Sequence, residues 1–447
     1  MSERGLIARQ AGTVLVGQLA VMAFGVTDTV VAGRYAPEAL AALSVGSSIY
    51  ISVYVTLMGL LQALLPILSE MHGANKHAAI GRALRQGLYL CAACTFAGVW
   101  VLMHPDFAFE WTDVPAHMQS DVRNYLKTLA WALAPALLFR MFSTLNQSLG
   151  QPQWVTWIQV AGLALKVPLS IGLTFGWASL PAQGVDGCAQ ATWVVNLLML
   201  GMATWLLRRQ AFYQPFHIWR RMERPHWPSL RDMLKIGVPN AISITVEVTS
   251  YTLMALFIAR LGNTAAAGHQ IVANMGALLY MVPLSLSIAT SARVSYWVGA
   301  QNFAHAQSAM RQGFVLLLGV CSVLLISVGL GRDFVAHLYT RDAAVAELAA
   351  SLMAWLTWYQ AVDAIQVMCF FLLRCFRITL APLVVYTLLL WGVGLRGGYL
   401  LAYNGLAGWG PLQSPEAFWM TSSLALTGVA LALGWLLYFA VQARAQR

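Results

Sequence analysis

The sequence predicts an all-α, polytopic membrane protein of about twelve transmembrane helices in two pseudo-symmetric six-helix halves. Three observations predict it. Of the 447 residues, 59% are hydrophobic and only 10% charged, with a mean hydropathy of +0.65. A soluble chain of this length needs far more charged surface. Apolar stretches of roughly 20 residues, each able to cross a hydrocarbon core of about 30 Å, recur along the chain. Finally, two short motifs repeat at one fixed spacing on either side of a basic, proline-containing centre.

The first apolar stretch, near 11–33, follows Arg4 and Arg9. It is too long for the apolar part of a signal peptide and reads as an uncleaved first span. The second, near 40–66, comes after Arg34 and before Lys76, Arg82 and Arg85. The third and fourth lie near 88–104 and 124–145, the fourth entered through Arg123 and Lys127 and left beyond Arg140. The fifth and sixth, near 154–177 and 187–207, complete the first half. Arg208–Lys235 is the longest polar interruption, with Pro215, Pro225, Pro228 and a run of basic residues that includes Arg209, Arg220, Arg221, Arg224 and Arg231.

The second half opens with a stretch near 234–260 that ends at Arg260, then one near 265–290 followed by Arg293. The ninth, near 312–331, lies between Arg311 and Arg332. The tenth, near 347–373, follows Arg341 and precedes Arg374 and Arg377. The last two lie near 382–403, with Arg396, and 418–441, before Arg444 and Arg447. The expected organisation is an N-terminal lobe over 1–210, a cytoplasmic linker over 211–232 and a C-terminal lobe over 233–447.

Counted over alternate loops, 19 of the 27 basic residues fall on the side of the N-terminus and 7 on the other. Only Lys166 is left inside a span. The excess sets orientation by the positive-inside rule, with both termini cytoplasmic. The net charge of +10 and pI near 9.5 therefore speak for a lipid bilayer as partner and not for nucleic acid.

His72-Gly73-Ala74-Asn75 and Arg85-Gln86-Gly87 recur 226 residues later as Val298-Gly299-Ala300-Gln301 and Arg311-Gln312-Gly313. With an even number of spans per half, the repeats enter from the same face. Such parallel repeats favour a transporter with sites near the midplane, although a channel can also be built from repeats.

Four charges fall deep inside spans: Asp28, Lys166, Glu247 and Asp363. Each costs on the order of 2.5–3.5 kcal/mol at a helix centre, which marks ion or substrate routes. Asp28 sits about 8 Å below the outer end of span one, at about 1.5 Å per residue. Glu247 follows Gly237-Val-Pro239, whose proline lacks an N–H and loosens the helix locally. Tyr359 precedes Asp363 by one helical turn, so a ring and a carboxylate share a face suited to a desolvated cation. If Glu247 faces Asp363, a shared proton or metal cation relieves their repulsion. The alternative is that each acid is a structural residue paired with a hydroxyl or helix terminus.

Lys166, in Leu163-Ala-Leu-Lys166-Val-Pro168-Leu-Ser170, has a stem long enough to bring its ammonium to Asp28. The other reading is a lysine snorkelling into a wet cavity. His269 and Gln270 open span eight. They either line a pocket, with Asn274 a turn further on, or pack at a helix start. Lys166 and Ser170 are candidate cavity residues in the first half.

Other patterns carry little. Cys91-Ala-Ala-Cys94 lies in an Ala-rich apolar helix without acidic or His companions and reads as packing. His337-Leu-Tyr-Thr-Arg-Asp342 has acyltransferase-like spacing but no supporting motif. No phosphate-binding loop or zinc spacing occurs, so no ATPase or metalloenzyme is indicated.

Val26-Thr-Asp28-Thr-Val-Val-Ala-Gly33, Ala41-Ala-Leu-Ser-Val-Gly-Ser-Ser-Ile49, Gly237-Val-Pro239, Val246-Glu247-Val248, Ala267-Gly-His269-Gln270 and Val362-Asp363-Ala-Ile-Gln-Val367 together resemble a known pattern. It is that of MATE (multidrug and toxic compound extrusion) transporters, nearest the bacterial NorM branch. The resemblance implies two six-helix lobes around a cleft in a bacterial inner membrane. It implies a non-enzymatic, monomeric exporter of cationic amphipathic compounds, with no cofactor beyond the coupling ion, Na⁺ or H⁺. Glu247, Asp363 and Tyr359 match the family's C-lobe cation site, the two acids being metal ligands if the ion is Na⁺. Asp28 matches the aspartate serving the N-lobe. A lipid-linked saccharide flippase of the same superfamily is the alternative.

Two positions depart from the family. Its span five usually carries asparagines where this chain has Lys166 and Ser170, which argues against a Na⁺ site beside Asp28. Its first span commonly has a proline where this chain has Thr13, so a proline bend is not expected. Gly12, Gly17 and Gly25 remain as permissive positions.

Overall fold

Helix length follows from the width of the layer to be crossed. The computed structural model describes residues 2–106, 109, 115–176, 181–405 and 410–445. Among them lie twelve helices long and apolar enough to span a bilayer, and no strand. They are α1 Glu3–Tyr35, α2 Pro37–Gly73, α3 His77–Met103, α4 Met118–Ser148, α5 Gln153–Phe175 and α6 Val185–Arg209. Then follow α7 Trp227–Ala259, α8 Asn263–Gly299, α9 Phe303–Tyr339, α10 Ala343–Cys375, α11 Leu380–Asn404 and α12 Glu416–Arg444. Most overrun their apolar stretches because polar residues continue the helix once backbone bonding is established. Arg447, part of the charge count, lies outside the described residues.

Local chemistry sets the ends. Pro37 opens α2, where a missing N–H costs nothing. Asn302 and Asp342 cap α9 and α10 through side-chain oxygens that accept from His305 N, and from Ala344 N and Val345 N. Asp342 is thus a helix cap, and His337 Nδ1 contacts the Asp333 carbonyl at 2.7 Å. The α1 helix runs unbroken through Gly12, Thr13, Gly17 and Gly25.

The chain divides into two compact units, residues 13–241, and 1–12 with 242–447. In the first, α4 is the central helix, packed on α6, α3 and α2. In the second, α10 takes that place, against α8, α12 and α9. The enclosure agrees: 78% of the apolar stretch of α4 and 67% of that of α10 are buried, more than in any other span. The first turn of α1 belongs to the second unit because Glu3 accepts from Arg293 Nε at 2.7 Å and from Trp297 Nε1 at 3.1 Å.

The segment expected as a linker, 211–232, is held on the first unit. Arg85 Nη1 donates to the His217 carbonyl at 2.7 Å, Tyr89 OH to the Glu223 carbonyl at 2.7 Å, and Gln86 Nε2 to the Arg224 carbonyl at 3.0 Å.

The repeat extends to backbone detail. Asn75 and Gln301 are both left-handed, with φ of 55° and 56°. The bonds Lys76 N to Met71 O and Asn302 N to Trp297 O, both 3.0 Å, close the same turn. A second turn pair is hidden from the sequence: Gly150 and Arg377 share a left-handed φ of 73° and 60°. There Gln151 N donates to Asn146 O at 2.8 Å, and Ile378 N to Leu373 O at 3.0 Å.

Candidate functional site: two carboxylate centres

In the second unit, α7 supplies Glu247 and α10 supplies Asp363, Tyr359 and Gln366. Gln366 lies three residues past Asp363, on the same helical face. Its Nε2 donates to Asp363 Oδ1 at 2.8 Å, and its Oε1 accepts from the Tyr386 hydroxyl of α11. Glu247 faces the same amide and feels the Asp363 charge. Asp363 is buried and Glu247 half-buried. Tyr280, Tyr359 and Tyr386 stand within electrostatic reach of both carboxylates, and Tyr251 of Asp363. Gln360 Nε2 fixes α10 to α8 by donating to the Gly276 carbonyl at 2.8 Å.

Five ion pairs occur among the described residues, and neither Glu247 nor Asp363 takes part in one. Two neighbouring carboxylates with an amide and hydroxyl shell but no basic partner form an electrostatic sink for a proton or small cation. Tyr359 is placed beside them with its ring edge-on to Trp419, 5.6 Å between centroids.

The N-unit centre has the opposite balance. Lys166 Nζ lies 2.8 Å from Asp28 Oδ1, 3.0 Å from the Cys188 carbonyl and 2.6 Å from Thr192 Oγ1. Three oxygens thus meet the three donors of an ammonium. Ser170 Oγ donates to the same Asp28 oxygen at 3.1 Å. Gly187 makes the arrangement possible. A Cβ there would fall 2.6 Å from the Leu173 carbonyl carbon, so only glycine lets α6 approach α5 and bring the Cys188 carbonyl inward. Lys166 is 0% exposed, so it does not snorkel into a wet cavity. Its carbon stem runs inside the helix bundle.

Gln270 and Asn274 are placed elsewhere. They bond to each other at 3.3 Å on an exposed face of α8. His269 points inward between Tyr251 and Trp419, with centroids 6.0 and 5.7 Å away. Cys91 and Cys94 are buried and unbridged. Sequence reasoning missed Gln366, Tyr386, Tyr280, Thr192 and Cys188. Only Gln366, one turn from Asp363, carried a usable signal.

A family model described as MatE matches residues 14–171 and 239–400, one segment on each side of the central polar stretch. The probable multidrug resistance protein NorM of Aromatoleum aromaticum is 37% identical over 435 residues, covering 97% of this chain and 93% of that protein. The multidrug resistance protein PmpM of Pseudomonas aeruginosa is 31% identical over 428 residues, covering 95% and 88%. Among solved structures, the eukaryotic MATE transporter AtDTX14 matches 100% of this chain and 98% of its own with a TM-score of 0.88 at 17% identity. A MATE in the bent conformation matches 100% and 97% with a TM-score of 0.90 at 14% identity. These structural likenesses show the fold. With the family model and the near-full-length relatives beside them, the chain belongs to the MatE family of membrane transporters.

Proposed function

We propose that the protein is a secondary active multidrug exporter that moves cationic amphipathic compounds outward in exchange for Na⁺ or H⁺. The observation that carries this reading is the contrast between the two centres. Asp28 is neutralised by Lys166, whereas Glu247 and Asp363 have no basic partner among the described residues. A site whose charge is balanced only when a mobile cation arrives responds to that cation's gradient. Either a proton shared between the acids or a Na⁺ held by them and by Gln366 satisfies the balance. Tyr359 lends a π-face to a cation there.

The names of the relatives, all multidrug resistance proteins, support drug export. The excess of basic loop residues supports a cytoplasmic placement of both termini, in a bacterial inner membrane. Both carboxylate centres lie in one chain, which supports action as a monomer. Drug–cation exchange in proteoliposomes, with Na⁺ and pH gradients imposed in turn, tests the reading. Accumulation driven by one of the two is expected. Flux indifferent to both would overturn it.

A further inference from the structure

A second site lies in the first unit, away from both carboxylate centres, where the central segment folds over α3, α4 and α6. A largely apolar cavity of ≈370 Å³ is walled by Leu88, Leu138, Phe142 and Leu200, and Arg85 and Arg220 also line it. A second cavity of ≈240 Å³ adjoins it and shares Leu207, Ile218, Trp219 and Arg220. Its other walls are polar and basic: Arg208, Tyr213, Gln214 and His217. The Arg208 guanidinium lies 4.5 Å above the Trp219 ring, which is half exposed and donates from Nε1 to the Leu207 carbonyl at 3.2 Å. Arg85 is 4% exposed, yet its Nε has no hydrogen-bond partner.

We propose that this pair of cavities binds an anionic phospholipid, with an acyl chain in the apolar cavity and the phosphate against Arg208 and Arg220. Each half of the site asks for one half of that molecule. A cationic drug would meet two guanidinium groups and be repelled. A free phosphate would leave the apolar cavity unfilled. An interfacial tryptophan beside basic side chains marks the headgroup level of a bilayer. On the orientation proposed above, the segment faces the cytoplasmic leaflet, where anionic headgroups attract such residues. The bound lipid would fasten the central segment to the first unit alongside the bonds from Arg85, Gln86 and Tyr89. The inference is independent of which cation drives export.

The test uses full-length protein in a neutral detergent, titrated with dioctanoyl phosphatidylglycerol or dioctanoyl phosphatidylcholine while the thermal unfolding midpoint is followed. The glycerol lipid is expected to raise the midpoint saturably and the choline lipid to leave it unchanged. The double variant Arg208→Gln/Arg220→Gln should weaken the apparent affinity by about 30-fold, at about 1 kcal/mol per basic residue. Leu200→Trp, which fills the apolar cavity and keeps every charge, should abolish the response. If Leu200→Trp does not fold, Thr204→Phe obstructs the same wall from a half-buried position. Equal shifts with both lipids would overturn the proposal. So would a glycerol-lipid response that survives the cavity-filling variant, because that would be surface charge attraction alone.

Discussion

Asp363 and Glu247 carry the coupling proposal, and their neutral isosteres separate charge from shape. Asp363→Asn and Glu247→Gln remove a charge from the membrane interior, which does not harm insertion. Each variant should express and fold as the parent does, while gradient-driven transport falls to the rate of vesicles from cells that lack the protein. Fluorescent-cation uptake into inverted vesicles measures this. Tyr359→Phe keeps the ring and loses only a hydroxyl, so its effect should be about 1 kcal/mol, roughly a fivefold loss of apparent affinity. Lys166 gives the sharpest contrast in stability. Lys166→Met strands the buried Asp28 carboxylate, at a cost of about 3–5 kcal/mol. Adding Asp28→Asn should return most of that loss. Thermal unfolding of the two variants in detergent checks it, and a double variant no more stable than Lys166→Met would contradict the pairing. The Asp28–Lys166 approach was legible in the sequence because a lysine stem has known reach. Its Cys188 carbonyl and Thr192 partners were not, because they depend on how closely Gly187 lets α6 approach.

Among the elements, the twelve spans were readable from apolar length alone, and the helix ends were not. Caps such as Asp342 and the overrun of α8 and α9 past their apolar stretches depend on local hydrogen bonding that hydropathy ignores. The short repeat around Asn75 and Gln301 was visible, since both copies keep similar residues. The turn at Gly150 and Arg377 was invisible, because glycine and arginine adopt the same left-handed φ with unrelated side chains. The bonds that hold the central linker on the first unit were not legible, because those from Arg85, Gln86 and Tyr89 join residues more than a hundred positions apart. One of them gives a pH signature. The hydrogen bond from Arg85, then the charges of Arg85 and Arg82, hold Glu223 below the usual carboxylate range. A carboxylate lowered in the fold stabilises it fully above the ordinary carboxylate range, and loses that contribution as pH falls through the lowered value. Modification of a cysteine placed at Met222, divided at each pH by that of a free thiol to remove the loss of thiolate, should therefore increase as the pH is lowered through that region, and Glu223→Gln should remove the step. In a background without the native cysteines, labels at Pro115 and Asp333 should react with an impermeant reagent from outside. A label at Met222 should not, and the reverse pattern would invert the orientation.

At the scale of the whole molecule, a single chain holds two acidic centres with different charge balance. In the first the acid is paired with its own lysine, and in the second the two acids have no basic partner among the described residues. If the second is where the gradient enters, substrate and cation compete for it, directly or through conformation, and each lowers the affinity for the other by the same factor. The substrate and the choice between Na⁺ and H⁺ were not legible in the sequence. Carboxylates serve both ions, and the number of oxygens around a bound cation is set by packing that no motif encodes. The most direct measurement is movement of a fluorescent cationic drug against its own gradient in proteoliposomes, with wild type and Asp363→Asn at equal protein content. Wild type should drive accumulation only while a Na⁺ or proton gradient is present, and Asp363→Asn should drive none under either. Wild-type accumulation by Asp363→Asn would contradict the account.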